Sequence, residues 1–162
     1  MLDDAHTATN WLVQQPSVDV NQLALVGSSI GGYVTLAAGT NDLRFKYLVS
    51  ICPFVNGQAV PMSIENSIEW ARMLNGITSE QLKHEWDHLP PVHAFKDQLI
   101  DRNILLISGS QDTLFPISHH QPLVDLLPKI HWTRLTDGDH TFNTCRRQLV
   151  NVVIEWLSNQ LN

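Results

Sequence analysis

The segment that most restricts how this chain can fold is Gln22-Leu-Ala-Leu-Val26 followed at once by Gly27-Ser28-Ser29-Ile30-Gly31-Gly32. The apolar run reads as a short strand buried on both faces. Tyr33 to Ala38 reads as a helix of small residues, ended by Gly39. Between them the chain must turn from strand to helix within a few residues, in a Gly-x-Ser-x-Gly pattern. A side chain at Gly27 or Gly31 is expected to clash in so tight a turn, and Ser29 is expected to be forced into a strained backbone conformation. That strain lifts the Ser29 hydroxyl clear of the strand end. It also aims the Ile30 N–H and the positive end of the helix at any negative charge developing there. A plain Gly/Ser turn is the other reading that the pattern leaves open. Ser28 occupies an x position, expected to pack inward.

Three more strands are expected, at 47–52, 103–108 and 131–135. Helical patterns separate them. Asp3 to Gln15 puts Ala5, Ala8, Trp11 and Leu12 on one face, and Pro16 stops it. The periodicity predicts a helix over Phe142–Leu157, with Phe142, Cys145, Leu149, Val152, Val153 and Trp156 as its apolar stripe. A shorter helix is predicted near Val124–Leu127, starting late or kinked because of Pro122. Residues 54–100 have a different texture and read as a helical insertion, lid-like or cap-like. Within it Ser63–Asn75 looks helical with Gly76 as its stop, and Thr78-Ser-Glu-Gln81 fits a capping box. Strands alternating with helices predict one α/β domain over 1–162, a parallel sheet of about four strands with helices on both faces.

A serine hydroxyl needs a base before it can attack a carbonyl. Asp112 lies just after the third strand, in Gly109-Ser-Gln-Asp-Thr113, and His140 just after the fourth, in Thr136-Asp-Gly-Asp-His-Thr-Phe142. Alone, Asp112 reads equally well as a turn residue and His140 as an exposed loop histidine. The order serine, acid, histidine along successive strands is what gives them weight. Asp137 and Asp139 are rival acids, although residues adjacent to a histidine in a loop rarely face its ring. His119 and His120 point apart on a helix and lack matching ligand spacing, so no metal is expected. Trp70, Met73 and Trp86 read either as helical packing or as the lining of an acyl or peptidyl pocket. His84, His88 and His93 read as surface residues.

The segments LALVGSSIGGYVTLAAG, ILLISGSQDTLFP and LTDGDHTF resemble the α/β-hydrolase superfamily, and within it the prolyl-oligopeptidase and dienelactone-hydrolase type of branch. Gly109, Asp112 and Pro116 match that branch's acid turn; Gly138, His140 and Phe142 match a slightly shortened histidine loop. The resemblance implies a serine hydrolase that cleaves an ester or peptide-like acyl bond through an acyl-enzyme. Ser29 would be the nucleophile, His140 the base, Asp112 its orienting acid and Ile30 an oxyanion donor, with no cofactor. It covers only strands five to eight of the usual eight. The loop that should supply a second oxyanion N–H has no counterpart here, and the strand at 22–26 is expected to be an exposed edge. A homo-oligomer or a complementary N-terminal half is the expected partner for that edge. An inactive fragment or association module that works through it is the alternative function.

Composition narrows the rest. With 43% hydrophobic residues and 16% charged, the chain can fill a core. A net charge of −6 gives no electrostatic reason to expect nucleic acid or an anionic membrane as partner. Arg146–Arg147 reads as a solvated pair on a helix. Cys52 and Cys145 do not form a disulfide framework. With no signal peptide or spanning segment expected, the reading is a cytoplasmic protein.

Overall fold

The computed structural model describes residues 2–161. After α1 (Leu2–Leu12) come β1 (Leu23–Ser28), α2 (Ile30–Asn41) and β2 (Phe45–Ile51). Then come α3 (Ile64–Met73), α4 (Ser79–Asp87), a 3₁₀ turn at Val92–Phe95 and α5 (Lys96–Leu99). The chain finishes with β3 (Asn103–Gly109), α6 (Ile117–Leu126), β4 (His131–Leu135) and α7 (Arg146–Leu161). The strands form one parallel sheet in the order β1-β2-β3-β4. Every C-terminal strand end therefore points the same way.

β3 has the sequence of a strand covered on both sides, and Ile104, Leu105, Leu106 and Ile107 are each at most 1% exposed. Alternate side chains feed two cores. Leu48 and Ile104 join Tyr33, Leu36 and Ala37 of α2 and Leu123 of α6 on one face. Val49, Leu105 and Ile107 join Cys145 and the α7 side chains Leu149, Val152, Val153 and Trp156 on the other. The predicted stripe of the last helix thus packs as expected. The helix itself starts later, at Arg146, because Phe142 adopts a positive φ of 54° and the segment before Arg146 is a series of turns.

Within residues 54–100 the chain forms α3, α4, the 3₁₀ turn and α5. Thr78 and Gln81 form a complete capping box at the start of α4, and Ser63 caps α3 by accepting from the Asn66 N–H. Gly76 has φ +84°, but α3 ends before it, at Met73. The region around Pro122 differs from expectation. α6 runs unbroken from Ile117, with Pro122 inside it. The ring removes one N–H, yet this helix is held from the side. Its fully buried His120 hydrogen-bonds through Nε2 to the Pro53 carbonyl, and through Nδ1 with the Ser108 hydroxyl.

β1 pairs with β2 only, among the described residues, and its other edge is open; Val26 is 49% exposed. Ser28 also lies exposed on this edge rather than packed inward. Arg102 donates to the carbonyls of Gly39 and Phe45, tying the end of α2 to the start of β2. At the same corner Asp42 accepts from the Arg44 guanidinium at 2.6 and 2.8 Å and pairs with His6 of α1 at 3.3 Å.

The bonds from Arg44 hold the Asp42 carboxyl below its ordinary 3.8, at about 2, against the opposing effect of burial. A depressed carboxylate stabilises the fold above its unfolded pKa, and that contribution is lost as pH falls through the folded value. Asp42→Asn should therefore flatten the acid limb of stability between about pH 4 and 2. The difference from the parent should be about 1–2 kcal/mol after allowance for screening at the partly exposed Arg44. Urea midpoints measured across this range check it, and parallel curves for the two proteins would contradict it.

Candidate active site

Three of the four strand ends contribute to one cluster. β1 delivers Ser29. Its φ of 59° and ψ of −122° place a non-glycine residue in a region that L side chains rarely adopt. Neighbouring backbone holds it there. The Ser29 N–H donates to the Ile51 carbonyl at 2.9 Å, and the Ser29 carbonyl accepts from the N–H groups of Gly32, Tyr33 and Phe54. A Cβ on Gly27 would lie 2.1 Å from the Gly31 carbonyl oxygen, so glycine is required at that position. Gly31 is different. A Cβ there meets nothing within 4 Å, so the clash expected on that flank is absent. The turn closes by pressing the Gly31 carbonyl towards Gly27, and the bare face of Gly31 points into open space.

β3 delivers Asp112 and β4 delivers His140. The two loops are laced together: Gln111 N–H donates to the Gly138 carbonyl at 2.8 Å and Ser110 N–H to the Leu135 carbonyl at 2.9 Å. The Ser110 hydroxyl also donates to the Thr136 carbonyl. Gly109 and Gly138 allow this approach; a Cβ on Gly109 would stand 2.2 Å from the Gly138 oxygen.

The side chains then meet in a line. His140 Nδ1 lies 2.8 Å from Asp112 Oδ2, and His140 Nε2 lies 3.0 Å from Ser29 Oγ. Asp112 Oδ1 accepts from the Leu114 and Phe115 N–H groups, both at 2.9 Å, which fixes the carboxylate plane. The Asp112 side chain is fully buried and that of His140 is 22% exposed. Burial alone would raise the Asp112 carboxyl. Hydrogen bonds from His140, the Phe115 N–H and the Cys52 thiol outweigh it, so its pKa falls below the ordinary value. An ionised Asp112 accepts from Nδ1–H, which leaves Nε2 as an acceptor for the serine proton. The Phe115 ring meets the imidazole edge-on at 5.1 Å.

The rival acids are engaged elsewhere. Asp139 Oδ1 accepts from the N–H groups of Thr141 and Asn143 and from the Thr141 hydroxyl, shaping its own loop. Asp137 is exposed and receives the Thr144 hydroxyl on its carbonyl. Ile30, as the first residue of α2, carries an N–H with no partner inside the helix. His119 and His120 serve the frame. Burial pushes His119 down to about 4, with His120 adding to the effect, and its neutral Nε2 accepts from the Val55 N–H at 3.1 Å. His84, His88 and His93 are exposed.

Cys52 was legible only as a buried thiol, and its place here had no sequence signal. It follows β2 with a φ of 39° and is completely buried. Its sulfur accepts from the Gly109 N–H at 3.4 Å and lies within 4.8 Å of the Asp112 and His140 ligand atoms. Cysteine, aspartate and histidine could in principle hold a metal. Here burial, followed by the hydrogen bond to Asp112, pushes the thiol pKa far up.

A parallel sheet whose strand ends carry serine, acid and histidine in chain order, after β1, β3 and β4, defines an α/β-hydrolase fold. The solved structure of Est1E from Butyrivibrio proteoclasticus shares it: TM-score 0.75, 15% identity, 99% of this chain and 69% of that one. The sequence model of the prolyl oligopeptidase family matches residues 1–162, and the chain belongs to that family. Among curated relatives, a probable dipeptidyl-aminopeptidase B of Emericella nidulans is 25% identical over 99% of this chain and 18% of its own length. An inactive dipeptidyl peptidase 10 of Mus musculus is 23% identical over 98% of this chain and 20% of its own. The chain thus spans about a fifth of the length of these relatives. Among the described residues no helix is long and apolar enough to cross a membrane.

The two glycines of the turn can be separated by experiment. Gly27→Ala must displace backbone and should cost about 1–3 kcal/mol. Gly31→Ala should be neutral or stabilising by up to about 1 kcal/mol, since alanine favours the helix and meets no obstruction. Chemical denaturation of both variants tests this, and a similar loss at each would show that the open space at Gly31 is not open in solution.

Proposed function

We propose that the chain is the catalytic portion of a serine hydrolase that cleaves an ester or peptide-like acyl bond through an acyl-enzyme. The observation that carries this reading is the continuous line Asp112–His140–Ser29, with contacts of 2.8 and 3.0 Å. Family membership alone does not carry it, since one relative is named inactive. In the proposed reaction Ser29 Oγ attacks the carbonyl carbon while its proton passes to His140 Nε2. The Ile30 N–H donates to the oxygen that becomes negative, and Asp112 stabilises the imidazolium. Collapse of the tetrahedral intermediate breaks the bond to the leaving group, which takes the proton from Nε2. Water then repeats the sequence and frees the acid. None of these steps calls for a metal or cofactor. The buried free thiols Cys52 and Cys145 fit a reducing, cytoplasmic setting.

A fluorophosphonate probe tests the reading. It should label Ser29 in the parent and nothing in Ser29→Ala, which should fold normally because Ser29 is only partly buried and loses a single hydroxyl. p-Nitrophenyl acetate turnover that survives Ser29→Ala would assign the activity to another nucleophile. Turnover by the chain itself should be low, since a single oxyanion donor leaves about 10²–10³-fold of rate unrealised.

A second reading is favoured by the open edge of β1: the chain associates through it, with a second copy or with a complementary half of the fold. Size-exclusion chromatography with light scattering should find the chain oligomeric or aggregating. A stable monomer would remove this reading.

A further inference from the structure

Two groups outside α2 grip the Ser29 backbone. The Ile51 carbonyl accepts from its N–H at 2.9 Å, and the Phe54 N–H donates to its carbonyl at 3.2 Å. Ile51 belongs to β2 and is held by the sheet. Phe54 lies beyond the strand, past the turn at Cys52, whose φ is 39°, and past Pro53. The Pro53–Phe54 peptide is therefore off the ladder and needs another anchor.

His120 supplies it. Its Nε2 lies 2.9 Å from the Pro53 carbonyl oxygen. A carbonyl can only accept, so Nε2 carries the proton. Burial pushes the ring pKa down, which keeps the imidazole neutral and leaves Nδ1 as an acceptor. Nδ1 lies 2.9 Å from the Ser108 hydroxyl, which therefore donates to it. The Ser108 oxygen accepts in turn from the Trp132 indole N–H at 2.9 Å. Every donor and acceptor in this chain is thus determined, and both Ser108 and His120 are fully buried, away from competing water.

The Pro53–Phe54 peptide is trans, so its carbonyl and its N–H point to opposite sides of one plane. Holding the carbonyl at His120 aims the N–H at Ser29. We propose that His120 is a positioning residue for the nucleophile: through this peptide it sets the strained backbone that turns the Ser29 hydroxyl towards His140. The proposal rests on the serine-hydrolase reading above.

The rate of fluorophosphonate labelling at Ser29 tests it, with two amide variants of opposite expectation. His120→Asn keeps a polar group near Ser108 but is too short to reach Pro53. His120→Gln keeps an N–H donor near the Nε2 position. Misplacing a reacting group by about 1 Å costs about 10²-fold in rate, so a partial tilt of Ser29 should slow labelling of the Asn variant about tenfold. The Gln variant should stay within about threefold of the parent, and the Phe54 amide resonance should move in Asn and return towards the parent in Gln. Ser108→Ala weakens the same buried chain without touching the bond to Pro53. It should lower the melting temperature yet label within about threefold of the parent.

Parent-like labelling of His120→Asn, or an equal loss in Ser108→Ala, would reduce His120 to a general clamp and overturn the proposal. The parent alone gives a check that needs no variant. NMR correlating ring nitrogens with their protons should find His120 protonated on Nε2, and a proton on Nδ1 instead would remove the bond to Pro53 and the proposal with it. Absence of labelling in the parent is a different failure: it overturns the hydrolase reading, and with it the role given to His120.

Discussion

The strained turn at Ser29 is the constraint on which the rest of the C-terminal edge depends. A residue at φ 59° and ψ −122° does not hold that conformation unaided. It is held because its N–H and carbonyl are both bonded across to the end of β2, at Ile51 and Phe54, as well as along α2. β2 is itself pinned there. Ser50 donates its hydroxyl to the Gly32 carbonyl, and Cys52 donates its N–H to the Ile107 carbonyl of β3. Strain at one residue is thus spread over three strand ends.

The acid and histidine loops obey a related logic. Two glycines, Gly109 and Gly138, let backbones approach more closely than any side chain would allow. Around that contact, backbone N–H groups fix Asp112, Asp112 fixes His140, and Phe115 walls the ring. Behind it a buried chain runs from the Trp132 indole through the Ser108 hydroxyl and His120 to the Pro53 carbonyl. That chain clamps α6 to the sheet, which is why a proline inside α6 does not break it. The removed N–H is a local loss, while the clamp acts across three elements.

Periodicity and turn chemistry made the frame readable before any coordinates. Four strand segments, the Thr78–Gln81 box and the α7 stripe are local signals, and each became the element it announced. The convergence of Ser29, Asp112 and His140 was readable from order alone, because a parallel sheet sends successive loops to one edge. What stayed hidden was set by contacts far apart in sequence. Cys52 beneath Asp112 depends on a 57-residue separation between its sulfur and the Gly109 N–H. The freedom at Gly31 was also invisible, since the Gly-x-Ser-x-Gly pattern treats both flanking glycines alike. Only the direction of each missing Cβ separates them. A cavity lined in part by Ile30, Trp70, Met73 and Trp86 needed the packing angle of α3 and α4, which no local pattern specifies.

The open side of β1 ties stability to chemistry. Its register with β2 ends at Ser28 opposite Ile51, one residue before Ser29. A further parallel strand laid against the free edge would finish beside Ser28, and the loop leaving it would emerge next to the serine hydroxyl. On the function proposed above, the Ile30 N–H is the one oxyanion donor among the described residues, and β1 has no neighbouring strand on its open edge. A strand added there would cover apolar β1 and could bring a second N–H into range in the same event. The physical demand to pair the edge and the chemical demand for another donor therefore converge on one place. If the chain associates through β1 and transfers acyl groups as proposed above, the two properties are coupled rather than rival.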